Sequence, residues 1–466
     1  ETIQTPTCTM NDGAGAAMDN SVTVTNTGGN VWTCVVETNN ADGDGAMTFS
    51  IAFSDSAGNA GTADTTVDDS SSVTIDNTHP TLTNIVMSTD GNSGYAKSGD
   101  EITLTITVSE TVTGLVCTID GEATTMGGSG TSWTSDLTMS GDETEQATVF
   151  SCASHTDAAG NAGATDTSAD SGSVTVDFTV PTLGTVGIVD AGTGNANDGD
   201  DVTLTFTATE TIQTPTCTMN DGAGAAMDNS VAVTNTGGNI WTCVVETNNA
   251  DGDGAMTFSI AFTDSAGNAG TADTTVDDSS SVTIDNTHPT LGTVGIVDAG
   301  TGNANDGDDV TLTFTATETI QTPTCTMNDG AGAAMDNSVA VTNTEGNIWT
   351  CVVETNNADG NGAMTFSIAF SDSAGNAGTA DTTVDDSSSV TIDNTHPTLG
   401  TVGIVDAGTG NANDGDDVTL TFTASETIQT PTCTMNDGAG AAMDNSVTVT
   451  NTGGNVWTCV VETNNA

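Results

Sequence analysis

Residues 201–208 read DVTLTFTA. Val202, Leu204 and Phe206 alternate with Thr203, Thr205 and Thr207, and a period of two puts the three apolar side chains on one face of an extended strand. The same alternation runs through Trp241, Cys243 and Val245, and through Met256, Phe258, Ile260 and Phe262. Together with 183–189, 214–219, 230–234 and 281–284, these segments predict seven strands separated by Gly, Asn and Asp turns. No segment holds a helical period of useful length.

The pattern recurs along the chain. Copies of ETIQTPTCTMNDGAGAAMDN open at Glu1, Glu210, Glu318 and Glu426, the last three at steps of 108 residues. Residues 181–288 and 289–396 differ only at Gly237/Glu345, Asp253/Asn361 and Thr263/Ser371. The expected architecture is therefore all-β: a tandem array of seven-stranded immunoglobulin-like β-sandwiches forming an elongated rod. Its units are 1–79 (partial, without the first two strands), 80–180 (divergent), 181–288, 289–396, and 397–466 (partial, without the last two). An odd number of up-and-down strands places entry and exit at opposite ends, and strands of this length give roughly 30 Å per repeat.

The formal charge of −62 comes from missing base rather than surplus acid, because Lys97 is the single Lys or Arg and charged residues are only 14% of the chain. That excludes nucleic acid and anionic lipid as partners. It also excludes Lys–Asn cross-links as a general stabiliser. Carboxylates that meet in the folded array have no internal cation and must be neutralised by ions from solvent. A halophile's acidic shell is a rival reading of the charge, but such shells are rich in both Asp and Glu, and here Asp dominates.

Ten cysteines fall two to a repeat. Cys8 and Cys34, Cys217 and Cys243, Cys325 and Cys351, and Cys433 and Cys459 each stand 26 apart, and Cys117 goes with Cys152. The regular spacing predicts one disulfide per repeat in an oxidising, extracellular compartment. CxxC pairs of the kind that bind zinc are absent. In the divergent repeat Ser135 stands at the usual second cysteine position, so the bridge there moves to the sixth strand, while elsewhere it joins the third strand to the fifth across the sandwich. No apolar run reaches 18 residues, so no membrane insertion is expected in this segment.

Strand parity also locates the acids. The entering linker, the loop after the second strand and the loop after the sixth lie at one end of a repeat. There they gather Asp285, Asn286, Glu318 and Asp372; in the divergent repeat Asp76, Asn77, Glu110 and Asp157; and before 181–288 Asp177, Glu210 and Asp264. The last partial repeat supplies Asp393, Asn394 and Glu426. Oxygen ligands from three segments with no base nearby fit a hard cation of six to eight ligands, with Ca2+ the expected structural ion. The alternative is that these Asp and Asn residues only cap turns. At the other end Asp198 and Asp200 can approach Asp251 and Asp253. The run NNADGDG has neither the flanking helices nor the twelfth-position Glu of a helix-loop-helix calcium loop, so turn capping competes there too.

The combination of GDDVTLTFTATE, DSAGNAG and VTIDNTHPT resembles the bacterial immunoglobulin-like repeats of very large adhesins and surface proteins. The resemblance covers essentially the whole chain. It implies calcium-stiffened extender rods that hold a binding domain away from a cell. It also implies Asp76, Asp177, Asp285 and Asp393, with Asp157, Asp264 and Asp372, as ligands. His79, His288 and His396 before the linker proline, and the disulfide, depart from that pattern.

Catalysis has little material. The linker histidines and His155 lack a nucleophile motif, and 4% aromatic residues do not line a sugar cleft. No enzymatic activity is expected. Two scaffold readings stay open: the stalk of a cell-surface adhesin, or the shaft of an extracellular filament whose copies associate head to tail or laterally.

Overall fold

The computed structural model describes residues 1–192 and 194–464, and every regular element among them is a strand. No helix is long and apolar enough to cross a membrane. The chain forms two compact units, Glu1–Ala191 with Asp198–Ile284, and Gly192–Asn197 with Asp285–Ala466.

The repeat 289–396 shows the architecture. It contains β1 (Leu291–Asp298), β2 (Asp309–Ala316), β3 (Thr324–Asn328), β4 (Ala340–Glu345), β5 (Ile348–Glu354), β6 (Gly362–Ala363), β7 (Thr365–Ala369) and β8 (Thr391–Ile392). One sheet has the order β1-β2-β5-β4; opposite it β3 pairs with β7, and β6 pairs with β8. Across β2 and β5, Val310 faces Val353, Leu312 faces Cys351 and Phe314 faces Trp349. Across β3 and β7, Cys325 faces Ile368 and Met327 faces Phe366. All of these side chains are buried in one core, with the Cys325–Cys351 bridge running from sheet to sheet. The alternation that begins with Val202, Leu204 and Phe206 thus becomes the inner face of a two-layer immunoglobulin-like sandwich.

Eight strands are drawn where seven are expected, because the sixth splits at Met364. Its first piece, β6, joins β8, while β7 joins β3, and the Met364 amide bonds the Val390 carbonyl at 3.0 Å. Gly362, at φ 132°, makes the bend, and a Cβ on the facing Gly330 would sit 2.2 Å from the Gly362 nitrogen. Only glycine permits that approach.

The repeat 80–180 diverges further. A single strand, Thr125–Thr138, runs where the others have a fourth strand and a fifth, and Glu122–Ala123 pairs instead with Val116–Ile119. Cys117 and Cys152 are directly opposed in one sheet and are bonded. Ser135, fully buried at the vacated cysteine position, donates to Thr124 Oγ1 at 2.7 Å, and Thr124 donates to the Cys117 carbonyl at 2.8 Å. In 397–464 the segment around Cys433 forms no strand. Its ladder partner elsewhere is the sixth strand, which this stretch does not contain.

Candidate metal centre

Three segments bring acids together at the start of a repeat. Before and within 80–180, the linker supplies Asp76, the end of the strand Glu101–Val112 supplies Glu110, and the turn after Phe150–Ala153 supplies Asp157. One carboxylate oxygen from each lies within 4.8 Å of the other two. Asp177, Glu210 and Asp264 form the same triad, as do Asp285, Glu318 and Asp372. The turn acids are the deepest: Asp157 is 5% exposed, and Asp264 and Asp372 are each 1% exposed. Asp393 and Glu426 have no third acid beside them among the described residues, since 397–464 holds no DxAGN turn.

The DxAGN turn is built to hold its aspartate. Asp157 Oδ1 accepts the amides of Gly160 and Asn161 at 2.7 and 2.9 Å. Asn161 Nδ2 then donates both to Asp157 Oδ2 and to the linker carbonyl of Asp76, each at 2.8 Å. Asn268 repeats this between Asp264 (2.8 Å) and Asp177 (2.9 Å), and Asn376 between Asp372 (2.9 Å) and Asp285 (2.6 Å). One amide group therefore fastens the linker acid to the turn acid. Sequence reasoning used the motif but missed this clip; the signal was the terminal Asn of each DxAGN run.

The carboxylates crowd one another electrostatically. Burial, then Asp76, Asp157 and Asp44, raise the pKa of Glu110. Burial, then Asp177, Asp264 and Glu145, raise that of Glu210. Asp177 is also raised, by burial and by Asp264 and Glu145, against the amide of Thr179. Asp157 goes the other way: burial opposes ionisation, but hydrogen bonds from the Asn161 side chain and the turn amides win and hold its pKa low. In the triad of the divergent repeat the turn holds Asp157 as an anion while burial and its neighbours push Glu110 toward protonation.

A fourth acid belongs to this neighbourhood and was assigned elsewhere by sequence. Asp44, the counterpart of Asp253, lies beside the linker: its Oδ1 accepts the Asn77 amide at 2.6 Å and its Oδ2 accepts the Thr78 hydroxyl. In the next joint Glu145 plays that part, accepting the Phe178 amide at 2.8 Å and the Thr179 hydroxyl at 2.9 Å. Asn361 takes the position before Asp393, with its Oδ1 on the Asn394 amide at 2.8 Å. Asn77 and Asn394 turn their side-chain NH2 groups back onto the preceding turn, Asn77 onto the carbonyls of Asn39 and Asp42 and Asn394 onto those of Asn356 and Asp359. Their visible task is to clamp the linker.

At the opposite end the two loops do approach each other, with Asp198 bonding across them and Asp251 capping its own turn. Asp198 and its counterpart Asp306 each accept a backbone amide at 3.1 Å, from Asn249 and Asn357. Asp251 and its counterpart Asp359 accept the amides of Asn248 and Asn356 at 2.8 and 2.7 Å. Of the linker histidines, His79 and His288 are exposed and sit on the carbonyls of Ala162 and Ala377. His155 is fully buried.

No protein-family model matches the chain, and no curated protein matches it. Among solved structures, a three-domain titin immunoglobulin fragment is similar over 66% of this chain and 98% of its own, at 11% identity and a TM-score of 0.28. A tetra-tandem repeat from the extending region of a large adhesion protein is similar over 84% and 92%, at 16% identity and a TM-score of 0.27. The mouse nectin-like molecule 4 ectodomain is similar over 64% and 96%, at 11% identity and a TM-score of 0.22. Scores this low leave the fold resting on the strand pairing itself.

Proposed function

We infer that the chain is a structural extender: a stalk segment of a long, secreted cell-surface protein, in which the repeats supply length as an elongated rod and calcium at the joints supplies stiffness. The observation that carries this reading is the recurrence of one carboxylate triad, Asp–Glu–Asp, where three linkers each meet the following repeat, in a chain with a single Lys. The donor set is all oxygen, which suits Ca2+ and disfavours zinc or copper. Asp76, Glu110 and Asp157, and their counterparts Asp177, Glu210 and Asp264, and Asp285, Glu318 and Asp372, would hold the ion, with water completing its shell. Bound there, the ion would neutralise carboxylates that otherwise repel and would tie the linker acid to two segments of the following repeat. One disulfide per repeat and the absence of free cysteine support an oxidising, extracellular setting.

Calcium titration of the purified chain tests this. With calcium in excess, the melting temperature rises and the scattering-derived maximum dimension becomes single-valued; with excess chelator, both the melting temperature and the persistence of the rod fall. Identical melting and scattering in the two conditions would sink the proposal. A filament shaft would instead gain mass as concentration increases, by head-to-tail or lateral association, which sedimentation equilibrium reads directly.

A further inference from the structure

Beyond the linker triads, the loop between the first and second strands carries a second pair of acids, ten residues apart. The pairs are Asp90 and Asp100, Asp190 and Asp200, Asp298 and Asp308, and Asp406 and Asp416. In the repeat 289–396, Asp298 Oδ1 accepts the Gly300 amide at 3.1 Å and Asp308 Oδ2 accepts the Asn305 amide at 2.9 Å. The point where Gly300 would carry a Cβ lies 3.0 Å from Asp298 Oδ2 and 2.9 Å from Asp308 Oδ2, so the two oxygens flank one gap that glycine leaves open. In the last repeat Asp406 Oδ1 accepts the Gly408 amide at 2.9 Å, and Asp416 Oδ2 accepts Asn413 through its amide at 2.9 Å and its side chain at 2.8 Å.

In three of the four pairs the first acid keeps a carboxylate oxygen that nothing satisfies, whereas Asp90 Oδ1 accepts the Glu101 amide at 2.6 Å. Oδ2 of Asp298, Oδ2 of Asp406 and both carboxylate oxygens of Asp190 are shielded from solvent and accept no hydrogen bond. A shielded carboxylate oxygen with no donor, next to a second carboxylate, is costly unless a cation or a proton joins it.

In the divergent repeat a positive charge stands in this loop. There the residue aligned with Asn197, Asn305 and Asn413 is Lys97, the single Lys of the chain. Its Nζ lies 2.8 Å from Asp100 Oδ1, while its backbone amide holds Asp100 Oδ2 at 3.0 Å. The one loop whose sequence departs from the others thus carries its own positive charge, on the second acid of the pair.

We propose that the loops of Asp190/Asp200, Asp298/Asp308 and Asp406/Asp416 each bind a hard, oxygen-seeking metal cation of the calcium class, and that Lys97 is its built-in replacement in the fourth loop. These sites are separate from the linker triads and share no acid with them. They stiffen the strand-to-strand loop within a repeat rather than the linker.

The test counts calcium bound to the full chain at a fixed free concentration, for the parent chain, Asn305→Lys, Asp298→Asn and the linker variant Asp372→Asn. Asn305→Lys and Asp298→Asn are each expected to remove one ion. Asp372→Asn removes a different one, so that its combination with Asn305→Lys removes two. Asn305→Lys is also expected to melt higher than the parent in excess chelator, a gain that a merely disruptive substitution does not give. An ion count unchanged by both Asn305→Lys and Asp298→Asn would overturn the proposal and assign the shielded oxygens a shared proton. A count that falls with the loop variants but not with Asp372→Asn would uphold the loop sites while removing the linker reading.

Discussion

His155 fills the core position that Phe262 and Phe370 hold in the neighbouring repeats. Each ring lies against a glycine, Gly163 for the histidine and Gly270 and Gly378 for the phenylalanines. Both His155 ring nitrogens are buried without a partner. Replacing the imidazole by the ring its neighbours use removes two unsatisfied polar atoms, so His155→Phe is expected to stabilise the repeat by about 1–3 kcal/mol, read by thermal or denaturant unfolding. The histidine beside the turn was visible in sequence, but its burial was not, because an extra residue before Asp157 shifts the alignment. Asp329 makes a second prediction at this scale. The Gly360 amide, then the amides of Ala333 and Ala331, hold its pKa below the usual aspartate value against the opposing effect of burial, and Asp221 is held the same way by Gly252. A depressed folded pKa contributes stability that is present above the unfolded value of about 3.9 and is lost as pH falls through the folded value. The Asp221→Asn/Asp329→Asn chain is therefore expected to be less stable than the parent at neutral pH and to lose less on acidification below about pH 4. Parallel acid-unfolding curves for the two chains would count against a stabilising role for these amide bonds.

At the scale of elements, period-two alternation was enough to place the inner faces, because each strand is half buried and its apolar residues have only one face to occupy. Phe314, Trp349 and Cys351 lie where the pattern of the preceding copy puts Phe206, Trp241 and Cys243. Strand parity was enough to bring three distant acids together, and for that reason the triads were legible while Asn161, Asp44 and Glu145 were not: they act through backbone carbonyls and amides, which leave no pattern in composition. The split of the sixth strand was hidden for a related reason, since it depends on the contact between Gly330 and Gly362 rather than on apolar spacing. The long strand Thr125–Thr138 was hidden by its own glycines; its register shifts between Gly130 and Ser132, so a bulge absorbs what reads as a turn. The disulfides divide along the same line. Cys325–Cys351 ties two sheets, whereas Cys117–Cys152 ties neighbours within one sheet that the ladder already holds. Removing the first pair as Cys325→Ala/Cys351→Ala is expected to cost about 2–4 kcal/mol in unfolding free energy. The matching change at Cys117 and Cys152 is expected to cost less, because the β-ladder keeps those strands in register without the bond. Equal losses would argue that both bridges act only on the unfolded chain.

Over the whole molecule, near-identity of copies sets a folding problem that the disulfides bear on. The second and fifth strands pair as Leu204 with Cys243 and Phe206 with Trp241 in one repeat, and as Leu312 with Cys351 and Phe314 with Trp349 in the next. Because those strand sequences are the same, a second strand from one copy paired with a fifth strand from the other gains the same contacts, and only loop-closure entropy disfavours it. That entropy grows slowly with length, so it discriminates weakly. A bond between two residues 26 apart in sequence closes each core on its own chain before a neighbour can enter. Refolding the reduced chain is therefore expected to yield more misassembled species than refolding the oxidised chain, measured as the fraction that fails to recover the native protease-resistance pattern. The repeat 80–180 supplies an internal control, since its strands differ in sequence from those of the other copies and one long strand runs in place of its fourth and fifth, so its own fragments should refold correctly under either condition. An equal misassembled fraction with and without the disulfides would show that sequence identity between copies is tolerated by some other means.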